Sequence, residues 1–409
     1  MNRRAVVPAV LVVALVTGSA SGPATARDRG TWAAAWGASP VVGAPIPWSP
    51  ACPAGTGLTD RTVRNVLFTS TGGSQTRIRL TNVFGATALT VGRATVAVQQ
   101  EGSTPRPGTT RVLTFAGSPT VTMVAGGQAL SDPVDLAVAP LSKLLVSVHV
   151  PGPTGPVTNH PFTAQGNYIA AGDQTGADGT NWTDNPCWML VDGVDVKADS
   201  RVTGSVVALG DSITDTAATS GNRDQRWPDH LARRLHAQRG ATLSVVNAGL
   251  GGNRVLAPRD GEPYWGVPAL ARLHRDVFSQ TGVRAVIVFE GINDLGYDAT
   301  AAQLIAAYQQ IIALARQRGL RVYGATITPF KDSFIWTERR ATEWRAINHW
   351  IRTSHAFDGV FDFATATADP ADPDRLNPAH DSGDHLHPND AGCRAIADAV
   401  DLRKLLTNR

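Results

Sequence analysis

Hydrophobic and polar positions follow two different rhythms along this chain, and the change falls near residue 199. Before it, short runs alternate with a period of two. Thr76-Arg77-Ile78-Arg79-Leu80 puts apolar and polar side chains on opposite faces, as a strand with one wet face requires. Similar β-branched runs occur at 62–69, 94–99, 112–115 and 144–150. Gly72-Gly73, Gly126-Gly127 and the Pro-rich stretch 151–156 separate them as turns. Many short strands with regular turn signals predict an all-β, sandwich-like domain over 31–198.

After residue 199 the pattern lengthens. Short apolar strands are predicted at 206–209, 243–248, 284–289, 322–328 and 359–363. Helical periodicity fills the segments 224–239, 268–280, 300–318, 338–354 and 389–405 between and after them. Strict alternation of strand and helix predicts a parallel sheet covered on both faces, over a second domain at 199–409.

The length of 409 residues suits two such domains. With 43% hydrophobic and 17% charged residues the chain is globular in composition. A net charge of +3, with no dense Lys/Arg stripe, excludes nucleic acid as the main partner. At the start, Arg3 and Arg4 precede an apolar run at 5–16, and Ala24-Thr25-Ala26 offers a small-residue cleavage site. Residues 1–26 therefore read as a signal peptide cleaved near Ala26, too short in its apolar part to span a bilayer. The expectation is a secreted monomer with no membrane span.

Export changes how the three cysteines read, because disulfides persist outside the cytoplasm. Cys52 and Cys187 both lie in loop-like, Pro-rich sequence and are expected to pair, closing a loop worth ~4 kcal/mol. Cys393 shares a helical face with Ile396, Ala397 and Val400 and is expected to be an inert core thiol.

In a parallel sheet of this kind ligands sit beyond the carboxyl ends of the strands. The first strand is followed by Gly210-Asp211-Ser212-Ile213-Thr214, and the second by Gly249-Leu250-Gly251-Gly252-Asn253. The third ends in Gly291-Ile292-Asn293-Asp294, and Asp384-His385-Leu386-His387 precedes the last helix. All four polar clusters fall on one edge. A serine hydroxyl needs an adjacent base to attack a carbonyl, and a histidine supplies it when a carboxylate fixes its tautomer. Ser212 is the candidate nucleophile, His387 the base and Asp384 its carboxylate. The oxyanion that forms requires preorganised donors. The candidates are the Ser212 and Gly252 N–H groups and the Asn293 amide.

These four blocks, in this order, resemble those of the GDSL, or SGNH, hydrolase family, over roughly residue 201 to the end of the chain. The resemblance implies a flavodoxin-like three-layer α/β/α fold and ester hydrolysis without a metal or other cofactor. It implies the same roles: Ser212, Asp384 and His387 as the triad, and Ser212, Gly252 and Asn293 as the oxyanion hole. With its preceding β region, the chain is similar to secreted actinobacterial members of a xylanase-associated subgroup. Thr216 departs from the family pattern, where a glycine is common, and is expected to narrow the pocket.

Plainer readings exist for several of these residues. Asn293 and Asp294 are both common helix caps; Asp294 is expected to be the structural one. Gly251 competes with Gly252 for the oxyanion role. Asp381, Asp384, His385 and His387 have the chemistry of a zinc site, which would leave Ser212 and Asn293 without a task. Tyr264, Trp265 and Trp336 fall near the expected mouth, and Trp32, Trp36, Trp48, Trp182 and Trp188 raise the question of sugar stacking or plain packing.

The leading expectation is deacylation of a small-molecule or polysaccharide ester, with acetyl as the acyl group. A lipid acylhydrolase or phospholipase is the alternative, opposed by the lack of a long apolar lid. A carbohydrate-binding protein with a vestigial hydrolase domain is a third reading, opposed by the intact Ser, Asn, Asp and His.

Overall fold

The structure, a computed structural model, describes residues 30–216 and 218–407. The leader expected at 1–26 lies outside the described residues.

The N-terminal half is built of antiparallel strands. One sheet holds, in spatial order, Thr31–Gly37, Val191–Ala198, Thr76–Thr81 and Gln128–Leu130. A second, seven-stranded sheet runs from Thr183–Asn185 through Asn167–Ala171, Arg61–Phe68, Lys143–Val150 and Arg93–Glu101 to Thr104–Pro105, with Arg111–Val112 also pairing with Arg93–Glu101. Alternate residues of the two sheets, such as Ile78 and Leu80 from one and Leu144, Val146 and Val148 from the other, meet in a single apolar cluster. That is the period-two pattern acting as expected.

The strand expected at 112–115 shrinks to Arg111–Val112. Asp132 accepts from the Thr114 hydroxyl at 2.7 Å and the Gly117 N–H at 2.8 Å, bending the chain into a turn. Cys52 and Cys187, 135 residues apart in sequence, form a disulfide, as expected. Cys393 is free and buried, and burial pushes its thiol pKa well up, so it is an unreactive core residue.

The C-terminal half carries five parallel strands: Val202–Gly210, Thr242–Gly249, Val283–Phe289, Arg321–Ala325 and Gly359–Phe361. Their spatial order is second, first, third, fourth, fifth. The chain reverses direction across the sheet beside the first strand, so the ligand crevice of such folds lies beyond its carboxyl end.

Helices Trp227–His236, Ala301–Arg316 and Glu338–Thr353 occupy the segments expected of them. The segment 268–280 splits into Ala269–Leu273 and a wider turn, His274–Phe278. The last helix is also interrupted, into Asp390–Asp398 and Leu402–Leu406. Asp401 causes the break by capping the second piece, accepting from the Arg403 N–H at 2.9 Å. No described helix is long and apolar enough to cross a membrane.

The two halves share a seam. Ala34, in the first described strand, donates its N–H to the Thr281 carbonyl at 3.0 Å and accepts from the Ser244 hydroxyl at 2.6 Å. Its side chain belongs to the core of the parallel sheet, while Val202 and Tyr264 of the C-terminal half join the N-terminal core.

Candidate active site

Ser212 follows the first strand and opens the one-turn helix Ser212–Asp215. Asp211 caps that turn, accepting from the Ile213 N–H at 3.0 Å. Burial pushes the Asp211 carboxyl up to about 7. Gly210 lets the turn close tightly, since a Cβ there would lie 2.1 Å from the Thr214 hydroxyl.

The Ser212 Oγ stands 2.9 Å from His387 Nε2, although the two are 175 residues apart. His387 Nδ1 lies 2.6 Å from Asp384 Oδ2. A carboxylate accepts, so the proton sits on Nδ1 and the Nε2 lone pair faces the serine hydroxyl. Partial burial raises the Asp384 carboxyl, but the His387 ring and the N–H groups of His387 and Leu386 outweigh it. They hold the carboxyl well below its usual range. The carboxylate is thus ionised at neutral pH and able to stabilise an imidazolium.

The loop after the second strand is tied down on every side. Gly251 N–H donates to Asp215 Oδ2 at 2.8 Å, and the Asn253 amide donates to the carbonyls of Trp265 and Val267, both at 2.9 Å. The Gly251 N–H is therefore spent, whereas that of Gly252 has no partner among the described residues. Gly252 has φ +66, and a Cβ there would fall 2.3 Å from the Trp265 ring, so only glycine fits.

Asn293 stands in the helix Ile292–Gly296 after the third strand. Its Nδ2 donates to the Asn253 carbonyl at 3.0 Å, which leaves one amide hydrogen for a ligand. Arg259 Nη2 donates to its Oδ1 at 2.9 Å and so fixes which end of the amide is the donor. Asp294 is structural, though not as a cap. Its carboxylate accepts from the N–H groups of Val255 and Leu256, at 2.8 and 3.0 Å, and no side chain caps this helix.

Ser212, Gly252, Asn293 and His387 line one cavity of about 320 Å3, with Phe162, Thr216, Trp265 and Leu386 completing an otherwise largely apolar wall. Thr216 stands on the wall beside the serine, where narrowing was expected. A larger hollow of about 480 Å3, lined among others by Gly72, Ser74, Pro140, Lys197 and Asp199, has neither Ser212 nor His387 on its wall.

The aromatic candidates divide. Trp265 lines the cavity, Tyr264 is core, and Trp336 packs edge-on to Phe330 at 5.1 Å instead. Phe334, on the same loop as Trp336, lines the cavity and is 81% exposed. Among the earlier tryptophans, Trp36 and Trp188 pack together in the N-terminal core, and Trp32 and Trp182 stack under Arg77 and Arg64. Trp48 stacks 4.7 Å from Trp265 and 5.9 Å from Phe162, two rings of the cavity wall, without lining the cavity itself.

His385 pairs with Asp381 at 2.6 Å and His387 with Asp384 at 2.6 Å, as two separate couples. Among the described residues no three His, Cys, Asp or Glu groups converge where they could hold a metal.

Three participants had no sequence motif. Phe162 comes from the N-terminal half and approaches Gly251 so closely that a Cβ there would sit 2.6 Å from its ring. His160 carries the seam to the site through its contact with Asp215 at 2.9 Å. Arg272 is wholly buried beneath the loops. It donates to the Gly210 and Ala248 carbonyls at 2.9 and 2.7 Å and to Asn253 Oδ1 at 2.9 Å. One guanidinium thus fastens the ends of the first two strands and the glycine loop together.

Comparison with known proteins comes down on the same region. Residues 208–395 match the family described as GDSL-like Lipase/Acylhydrolase. No curated protein matches the chain. Among solved structures, the chain is similar to a lipolytic protein of the G-D-S-L family from Desulfitobacterium hafniense DCB-2, at 21% identity and a TM-score of 0.37, covering 48% of this chain and 96% of that one. An aryl esterase of M. smegmatis matches at 15% identity and a TM-score of 0.39, over 48% of this chain and 95% of its own. An acetyl xylan esterase, AlAXEase, matches at 21% identity and a TM-score of 0.37, over 48% and 96%.

Proposed function

We propose that this carboxylic ester hydrolase, whose residues 208–395 match the GDSL-like Lipase/Acylhydrolase family, works through an acyl-enzyme on Ser212. His387 Nε2 takes the Ser212 proton as Oγ attacks the ester carbonyl. The oxyanion rests on the N–H groups of Ser212 and Gly252 and on the free Asn293 amide hydrogen. Asp384 stabilises the imidazolium, which then protonates the departing alkoxide. Water, activated by the same histidine, attacks the acyl carbonyl and releases the acid. The observation that carries this reading is the unbroken path from Asp384 through His387 to Ser212, at 2.6 and 2.9 Å.

The substrate we propose is a short acyl ester, acetyl in the first place, of a carbohydrate or a small alcohol. A cavity of about 320 Å3 closed by Phe162, Trp265 and Leu386 suits a small acyl group, and the half-exposed Trp48 offers a face for a sugar ring. Lipid acyl hydrolysis is the second reading, favoured by the largely apolar wall and by the exposed Phe334.

The N-terminal half, 31–198, is in this account a β-sandwich whose two sheets share one core and whose loops complete the catalytic unit, 199–409. The Cys52–Cys187 disulfide supports placing the mature protein outside the cytoplasm, after removal of 1–26. A series of p-nitrophenyl esters of increasing chain length, beside acetylated xylan, tests the substrate. Activity greatest on acetyl supports the carbohydrate ester; a maximum at long chains selects the lipid. Hydrolysis by Ser212→Ala at the wild-type rate would overturn the mechanism.

A further inference from the structure

Arg259 is the one permanently charged side chain among the described residues lining the cavity. Its guanidinium is held between two rings, 4.7 Å from the centre of Trp265 and 5.2 Å from that of Tyr297. One nitrogen, Nη2, donates to Asn293 Oδ1. Another, Nε, is buried with no hydrogen-bond partner among the described residues.

Among the described residues no carboxylate is ion-paired with Arg259, and Asp260, beside it in sequence, is exposed. Asp294 accepts from the N–H groups of Val255 and Leu256 and faces Arg254, and Glu262 accepts from the Tyr264 hydroxyl. A half-buried guanidinium beside an apolar cavity, with donors to spare and no counter-ion, is matched by a planar anion that can take two parallel hydrogen bonds.

We propose that Arg259 determines specificity by receiving a carboxylate carried on the ester substrate itself, close to the scissile bond. This rests on the esterase reading above and names the substrate class within it: an acidic ester, either a dicarboxylic half-ester or an O-acylated uronic acid. The aromatic faces of Trp265 and Tyr297 hold the cation in place while the site is empty. Because the guanidinium also touches the Asn293 amide, a bound anion would lie one residue away from the oxyanion donors. That limits the distance at which the substrate can carry its charge.

Two matched substrate pairs test this. In one, the charge is on the acid: p-nitrophenyl hemisuccinate against p-nitrophenyl butyrate. In the other it is on the alcohol: an O-acetylated methyl galacturonoside against the corresponding galactoside. The charged member of one pair is expected to have the higher kcat/KM in the wild type, and the pair that shows it identifies the side. In Arg259→Gln that preference should fall by about tenfold to a hundredfold, the range for a charge-assisted bond. Arg259→Lys should retain part of it, and added salt should weaken it in the wild type.

Loss of Asn293 positioning alone would slow charged and neutral esters by the same factor. An unchanged ratio in Arg259→Gln therefore overturns the anion site, as does a wild type that favours the neutral member of both pairs. Through their loss in Ser212→Ala, the neutral esters report on the esterase reading independently of this proposal.

Discussion

His160 joins the N-terminal half to the catalytic loop through a charge, and removing it should damage both stability and turnover. Nδ1 lies 2.7 Å from the Ser39 carbonyl, while Nε2 lies 2.8 Å from the Phe162 carbonyl and 2.9 Å from Asp215 Oδ1. All three oxygens only accept, so both ring nitrogens carry a proton and the ring is an imidazolium. Burial opposes that charge, but Asp215 and the Ser39 carbonyl outweigh it, with Arg226 opposing, and the histidine pKa is raised.

At 2.9 Å the pair attracts by about 6 kcal/mol in an effective dielectric of 20, much of it offset by desolvation. Both side chains are 3% exposed, so removing one partner strands the other. His160→Gln should therefore lower the unfolding free energy at pH 6 by about 3–5 kcal/mol. Because the folded-state pKa is raised, the wild-type stabilisation is complete below the unfolded histidine value and is lost as pH rises through the folded one. Denaturant titrations should show that slope in the wild type and not in the variant.

Asp215 Oδ2 also holds the Gly251 N–H. A freed loop that moves Gly252 by ~1 Å should reduce kcat by about 10²-fold. Pairing His160→Gln with Asp215→Asn should cost less than the sum of the two single changes. A His160→Gln protein within ~0.5 kcal/mol of wild type, with unchanged kcat, would refute the reasoning.

Other outcomes follow from the same geometry. Asn293→Ala should lower kcat by ~10²–10³ with little change in KM, since its free amide hydrogen serves the transition state; a change confined to KM would contradict that role. Asp384→Asn should reduce kcat by ~10²–10⁴, because no other described side chain bonds His387 Nδ1; steady-state rates within tenfold of wild type would mean another group orients the ring. Reducing the Cys52–Cys187 disulfide should lower stability by ~2–5 kcal/mol, read by thermal unfolding with and without reductant. Identical melting curves would argue against it.

Local pattern carried much of this structure. Strand–helix alternation announces the parallel sheet, and because residues after its strands share one edge, the sequence alone groups Ser212 with Asn293, and the Asp-His-Leu-His block before the last helix adds His387. The register of the glycine loop needed the fold, since the partner that spends the Gly251 N–H is a carboxylate 36 residues away. Phe162 reaches the site, and Trp48 and His160 its surroundings, from strands and loops of the other half, and no spacing rule connects them to it. No motif or spacing marks Arg259, in a loop, or Arg272, in a helix. Their roles come from what surrounds the guanidinium: two rings for one, strand-end carbonyls for the other. Trp336 and Phe334 lie two positions apart on one loop, and only its course decides which faces the cavity.

In the proposed mechanism a carboxylate–imidazole–hydroxyl path makes Ser212 the covalent nucleophile. Rapid acid quench during turnover of p-nitrophenyl acetate, followed by peptide mass spectrometry, reads this directly. An added acetyl group on the peptide containing Ser212, absent in His387→Ala, is the predicted result. Full turnover with no acyl adduct on that peptide, or with the adduct on another residue, would contradict the account.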